Sequence, residues 1–351
     1  MKIISYKGQT METIHYKEMT QELFEQLRNE HYAKPSEKEI RNEIATMVSL
    51  NGTKMSCIEQ NWFRDLMDET KIYYCKWTIK DVFDYKPLLE RFYAQVETND
   101  KVFTCPTLLG NIETAIRLGG KGVAGKVANF PIKTVEGVFL RYNINNNYYD
   151  MSCGWGARLI ASMKNRVNYF GTDPNYKLVE RLKDLSNYWN KITQMKCQVD
   201  IRCQGSETFV PEWENKMGLC FTSPPYFYLE DYKYGNQSYK QGTSYQDWKN
   251  NYLEPTIKNC YKYLIDIGYL VINIKDFDKY ELEKDTKEIA EKNGFVFVEY
   301  YYLDNIARMK STGEKGDGDE NIMVFMKKGF EQNHKHYQEP EQLSLFDFSY
   351  E

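Results

Sequence analysis

Histidine is scarce in this chain of 351 residues: His15, His31, His334 and His336 are the only four, and none lies in the middle. Chemistry in the central region is therefore expected to run without a histidine base, a Ser-His-Asp triad or a histidine-ligated metal. Cysteine is present but not in pattern. Eight residues at positions 57, 75, 105, 153, 197, 203, 220 and 260 stand singly, with no C-x-x-C spacing for zinc or for a redox pair. Long apolar runs are missing too: stretches such as GYLVINI are strand-sized, and no segment is expected to cross a bilayer as a helix. The N-terminal MKIISYKGQTMETIHYKEM lacks the apolar core of a signal peptide, which makes the cytoplasm the expected location. Positive charge is not in excess. A net charge of -4 argues against coating nucleic acid by bulk attraction and leaves room for a local basic patch. What is present, 42% hydrophobic and 27% charged residues, describes a globular chain long enough to bury a core.

The first hundred residues or so are expected to be mostly helical, residues 1–110 forming a helical N-terminal region. SEKEIRNEIATMVSL opens with a capping box from Ser36 to Glu39 and places Ile40, Ile44, Met47 and Val48 on one face. TIKDVFDYKPLLERFYAQV repeats the device with Thr78 and Asp81, followed by Leu88, Leu89, Phe92, Tyr93 and Val96. From about residue 148 the pattern changes. Short apolar segments (NYYDM, VNYFGTD, MKCQVDI, GLCFTSP, GYLVINI, FVFVEYYYL, NIMVFMK) alternate with amphipathic helices (ARLIASMKN, YKLVERLKDLSNYWN, YQDWKNNYLEPTIKNCYKYL and KYELEKDTKEIAEKN, closed by Gly294). That alternation predicts an α/β fold, a seven-stranded Rossmann-like sheet covered by helices, over residues 111–330. DNIARMKSTGEKGDGDE predicts a mobile loop, and residues 331–351 a flexible tail.

Two constellations carry chemistry. In DMSCGWGARL, Asp150 ends a strand, and a turn with Gly154 and Gly156 leads into a helix. In an open parallel sheet a ligand's polar groups meet such a turn, and glycine lets the backbone approach. A G-x-G spacing without a third glycine fits a dinucleotide fingerprint poorly. A purely structural tight turn is the alternative. Asp173, in GTDPN at the end of the next strand, stands where a carboxylate would accept from two ribose hydroxyls. The second constellation is Ser223-Pro224-Pro225-Tyr226, after the apolar GLCF.

Ser223 to Tyr226 resembles the catalytic motif of the S-adenosylmethionine-dependent amino-methyltransferases of nucleic acids, in which Asp, Asn or Ser precedes Pro-Pro and an aromatic. The resemblance extends over about residues 130–328. It implies a Rossmann-like methyltransferase sheet and S-adenosyl-L-methionine as cofactor, with no metal expected. Asp150, Ser152, Gly154 and Gly156 fall in the cofactor motif, Asp173 on its ribose, Ser206 and Glu207 in the GSET segment bordering its adenine, and Phe130 in a preceding Phe-containing motif. The catalytic residues are then Ser223, Pro224, Pro225 and Tyr226. An exocyclic base amine is a poor nucleophile because its lone pair is delocalised into the ring. A Ser hydroxyl and the Pro224 carbonyl would accept its hydrogens and favour a pyramidal nitrogen, the prolines would fix that carbonyl, and Tyr226 would stack on a flipped base. Methylation at cytosine carbon five needs a cysteine nucleophile, typically in a Pro-Cys pair, and no such dipeptide occurs. Ser in the first position leans towards cytosine N4. Adenine N6, RNA or a protein amide as substrate, and an inactive methyltransferase fold serving as a clamp- or DNA-binding adaptor, stay as alternatives.

No large target-recognition domain follows the catalytic half. The expected DNA contacts are Arg117, Lys121, Lys126 and Lys133, in a glycine-rich stretch without acid, and Lys233 and Lys240 in the tyrosine-rich loop after the motif. Plain surface loops are the alternative for both. In the tail, Gln342, Leu343, Leu345 and Phe346 of QLSLF resemble the pentapeptide by which bacterial proteins dock on the DNA polymerase sliding clamp, which implies that clamp as a partner and a bacterial or phage-infected cell as the setting. A tail strand packed on its own domain is the alternative.

Overall fold

The seven apolar segments become seven strands of one sheet. A computed structural model describes residues 18–98, 103–118, 123–194, 196–242, 244–301 and 321–334, with the backbone alone of 5–6 and 9–10. The strands are β1 (Asn147–Asp150), β2 (Asn168–Thr172), β3 (Val199–Arg202), β4 (Met217–Thr222), β5 (Leu264–Ile274), β6 (Phe295–Tyr301) and β7 (Asn321–Lys327). Their order across the sheet is β6-β7-β5-β4-β1-β2-β3. Strands β1 to β5 pair in parallel, and β7 runs antiparallel to both β5 and β6. This is the expected Rossmann-like α/β architecture. Strand order reverses between β1 and β4, the switch point at which open α/β sheets bind ligands.

Burial follows position. Central β4 is buried along its whole length, as a parallel strand covered on both faces must be, whereas edge strand β3 is only partly buried. Helices Ala157–Lys164, Glu254–Tyr263 and Leu282–Lys292 pack on β2, β5 and β6 respectively. The core is unusually rich in tyrosine, and its phenols are partnered: Tyr148 donates to the Phe221 carbonyl (2.9 Å), Tyr149 meets Thr172 Oγ1 (2.8 Å) and Tyr169 donates to Asp150 (2.9 Å). Burial pushes all three phenols well above their ordinary pKa.

By packing, the chain divides into two units. One holds the sheet and comprises residues 130–173, 195–226 and 238–351; the other is largely helical and comprises 1–129, 174–194 and 227–237. The helical unit is built around Phe24, Leu27, Phe83, Leu89, Phe92 and Ile112. Both predicted capping boxes form, at Ser36/Glu39 and Thr78/Asp81. Two expectations for the helical unit need correction. Val48 is 37% exposed, so the buried stripe of its helix is Ile40, Ile44 and Met47. The segment from Thr78 to Val96 is two helices, Ile79–Asp84 and Lys86–Thr98, with Tyr85 extended between them (φ -127°, ψ 104°). Pro87 explains the break: it has no N–H to give and its ring crowds the carbonyl four residues back. In the sheet unit, a π-helical stretch, Lys249–Leu253, interrupts the helix expected from Tyr245 onward.

A buried charge cluster lies within the helical unit. His31 Nε2 lies 2.6 Å from Asp68 Oδ2 and Nδ1 3.0 Å from Glu113 Oε1, and the ring stacks on Phe83 with centroids 3.7 Å apart. Arg64 lies 3.3 Å from both Glu113 and Glu59.

Candidate active site

Asp150 ends β1 with its carboxylate turned wholly into the protein. Its Oδ2 accepts from Arg158 Nε (2.8 Å) and the Tyr169 hydroxyl (2.9 Å), its Oδ1 from Thr222 Oγ1 (3.0 Å) and the Ser152 backbone N–H (3.2 Å). Four donors fill the lone pairs of a carboxylate, so Asp150 acts through the loop it holds. Arg158 completes the latch by donating to the Ser152 carbonyl. Burial opposes the guanidinium charge, but the Asp150 carboxylate outweighs it and the Arg158 pKa is raised. The two glycines of the turn are required by conformation: Gly154 has φ +58° and Gly156 φ +83°, the left-handed region, with Gly156 capping the helix that follows. A Cβ on Gly154 would also stand 3.2 Å from Arg158 Nη2.

Around this turn the structure gathers the other expected cofactor residues of the sheet unit. Tyr252, buried in the π-helical stretch, meets Ser152 Oγ at 3.3 Å. Its phenol is pushed up first by burial, against hydrogen bonds from Ser152 and Ser206, with the carboxylates of Glu207 and Asp173 adding to the rise. Ser206 is buried, its Oγ 2.8 Å from Thr256 Oγ1 and its carbonyl held by Asn259 Nδ2 at 2.9 Å. Glu207 Oε1 accepts from Gln241 (2.7 Å), while its buried Oε2 has no hydrogen-bond partner. Phe130 lies 5.6 Å from the Phe221 ring, edge to face, with the Arg158 guanidinium 5.6 Å from its own centroid.

Ser223-Pro224-Pro225-Tyr226 leaves the carboxyl end of β4 beside β1. Pro224 is buried; Ser223, Pro225 and Tyr226 are half-buried. Asn273 on β5 binds the motif: its Nδ2 donates to Ser223 Oγ (3.2 Å) and approaches the Tyr226 hydroxyl (3.5 Å), which itself donates to the Asn273 carbonyl (3.5 Å). The chain then turns sharply, Phe227 adopting φ +51°. Arg158, Tyr252 and Asn273 were not legible as site residues.

The expected nucleic-acid contacts fall out unevenly. In the helical unit Arg117 is exposed, Lys126 lies 3.7 Å from Glu59, and Lys233 lies 3.2 Å from Glu69 with its ammonium 5.4 Å from the Tyr234 ring centroid. In the sheet unit Lys133 is exposed, as is Lys240, whose ammonium lies 5.4 Å from the Tyr239 ring. Lys121, the loop from Asp304 to Glu320, and Gln342, Leu343, Leu345 and Phe346 lie outside the described residues.

No family model and no curated protein matches the chain. Solved structures match it at low similarity. A TehB-like SAM-dependent methyltransferase from Corynebacterium glutamicum is 14% identical with a TM-score of 0.36, over 56% of this chain and 86% of that one. Magnesium protoporphyrin IX methyltransferase (ChlM) from Synechocystis PCC 6803 is 12% identical, TM-score 0.36, over 56% and 79%. The glycopeptide N-methyltransferase MtfA is 6% identical, TM-score 0.39, over 56% and 87%. Likeness at this level says nothing about substrate.

Proposed function

We propose that this chain transfers a methyl group from S-adenosylmethionine to the exocyclic amine of a DNA base, with cytosine N4 favoured over adenine N6. The observation that carries the reading is the position of Ser223-Pro224-Pro225-Tyr226: it leaves β4 at the strand-order switch, on the strand adjoining the one that ends in the Gly154/Gly156 turn.

The residues fit the cofactor on two counts. Gly154 and Gly156 bare the backbone of the turn through left-handed φ values, and Glu207 Oε2 is a buried acceptor without a donor, a condition that a hydroxyl or amino group of a nucleoside satisfies. Phe130, Ser152, Asp173, Ser206 and Glu207 would hold it, with Asp150 and Arg158 keeping the turn in shape. When bound, S-adenosylmethionine supplies an electrophilic methyl: the amine lone pair forms the N–C bond, the C–S electron pair stays on sulfur as a neutral thioether, and nitrogen then sheds a proton to water. Ser223 Oγ and the Pro224 carbonyl accept the amine hydrogens, which draws the lone pair out of conjugation. Tyr226 stacks on the base once it is flipped from its helix. Both prolines fix their own φ, so the Pro224 carbonyl is set before the base arrives and positioning supplies the rate.

The test is incubation with isotope-labelled S-adenosylmethionine and unmethylated DNA, then nucleoside mass spectrometry. N4-methylcytosine is the expected product. N6-methyladenine would reassign the base, and label in RNA or protein alone would reassign the substrate. Cofactor binding without transfer to any of them would point to an inactive adaptor.

A further inference from the structure

Asn273 is out of keeping with its surroundings. It sits in the run Leu270-Val271-Ile272-Asn273-Ile274 of β5, 3% exposed among aliphatic neighbours. Packing alone would be served there by valine or leucine, since a buried amide costs free energy unless its hydrogen bonds are made. Its side-chain N–H group reaches the proposed catalytic motif. Register explains the meeting: Thr222, the last residue of β4, lies beside Ile272 of β5, so one residue further on Ser223, just past its strand, comes beside Asn273, still within the parallel neighbour.

We propose that Asn273 is the positioning residue of the Ser223–Tyr226 motif, fixing the Ser223 hydroxyl so that one lone pair faces the substrate amine; this rests on the methyl-transfer reading above. A serine hydroxyl has three staggered χ1 wells, one O–H and two lone pairs. The 3.2 Å bond from Asn273 Nδ2 fills one lone pair and selects one well, leaving the second lone pair to accept an amine hydrogen. The contacts of the same residue with the Tyr226 hydroxyl, 3.5 Å from both Nδ2 and the main-chain carbonyl, stand at the outer limit of hydrogen bonding. They orient the ring and do not anchor it. Asn273 touches neither base nor cofactor in this scheme. It acts through Ser223.

Asn273→Ala and Asn273→Asp separate this role from a packing role. The assay measures kcat and KM with unmethylated duplex and single-stranded DNA of mixed sequence and labelled S-adenosylmethionine; calorimetric S-adenosylmethionine affinity and melting temperature are the controls. For Asn273→Ala, kcat falls on the order of 10- to 100-fold, while KM for DNA and cofactor affinity stay at wild-type values. For Asn273→Asp, the introduced carboxyl donates to Ser223 only when protonated. Its kcat therefore rises relative to wild type as pH falls towards the carboxyl pKa, whereas the Asn273→Ala profile runs parallel to wild type. Wild-type kcat in Asn273→Ala, an Asn273→Asp profile parallel to wild type, or a kcat loss matched by lost cofactor affinity and melting temperature overturns the positioning role alone. No transfer by the wild-type protein to either DNA overturns the DNA methyl-transfer reading, and this role with it.

Discussion

Replacing Asp150 with Asn changes one atom and should be among the most damaging substitutions in the sheet unit. The carboxylate is fully buried, Arg158 is 5% exposed, and the pair is closed by the Tyr169 and Thr222 hydroxyls and the Ser152 N–H. Asp150→Asn keeps an acceptor oxygen for Thr222 and Ser152 but turns an amide N–H towards the guanidinium and the Tyr169 hydroxyl. Two hydrogen bonds to a charged oxygen are lost, and a guanidinium is left buried without its counter-charge. Removing one partner of a buried ion pair costs about 3–5 kcal/mol, a large fraction of the roughly 5–15 kcal/mol by which domains are stable. Arg158→Met strands the carboxylate instead, at a similar cost. The double variant leaves no uncompensated charge, so its loss should fall short of the sum of the singles by about 2–3 kcal/mol, within the range of coupling energies for residues in contact. Urea denaturation of the full chain measures this, and the buried Trp155 and Trp213 of the sheet unit report on the transition. Because the latch shapes the Gly154/Gly156 turn, S-adenosylmethionine affinity should fall with stability in each single variant. Single variants that each lose under about 1 kcal/mol, or losses that simply add, would refute a buried, mutually dependent pair.

The strands were legible as seven short runs bounded by turn residues, most plainly β4, where a parallel strand buried on both faces reads as an unbroken apolar run. Helix starts were legible where a capping box spells them, as at Ser36 and Thr78. Pro87 carried the signal for the break at Tyr85, and apolar spacing that continued across it hid the break. The turn at Gly154 and Gly156 was legible because only glycine enters the left-handed region cheaply. The partners of that turn were not. Asp150 is closed by Tyr169 and Thr222, which arrive from neighbouring strands, and local spacing says nothing of cross-strand meetings. Asn273 is a single polar residue in an apolar run and leaves no periodic trace. Tyr252 lies in a π-helical stretch, where helical spacing misplaces faces. Lys126 and Lys233 looked like unengaged cations because Glu59 and Glu69, which oppose them, lie far away in sequence. The division by packing is equally non-local, since the helical unit draws 174–194 and 227–237 from within the span of the sheet.

Ser223→Ala should cost on the order of 10²–10³ in kcat, the scale of one lost transition-state hydrogen-bond partner, and Tyr226→Ala about 5- to 150-fold from a lost base stack. Cofactor affinity should survive in both; full transfer in either refutes its assigned role. Deleting the residues after Pro340 should abolish co-elution with the bacterial sliding clamp and leave methyl transfer to short oligonucleotides intact, and retained co-elution would remove QLSLF as the docking segment. The His31 cluster makes a prediction about pH. Burial alone would lower the imidazole pKa, but hydrogen bonds to Asp68 and Glu113 and their charge outweigh it, and the pKa is held above its ordinary 6.5. With a carboxylate beside each ring nitrogen, the folded state prefers the imidazolium. The stabilisation is therefore fully present below about pH 6.5 and is lost as pH rises through the higher folded-state pKa. His31→Gln cannot carry the charge, so its deficit in urea midpoint should be largest near pH 6 and shrink as pH rises. A deficit that stays constant, or widens towards alkaline pH, would show that the ring sits between Asp68 and Glu113 as a neutral group.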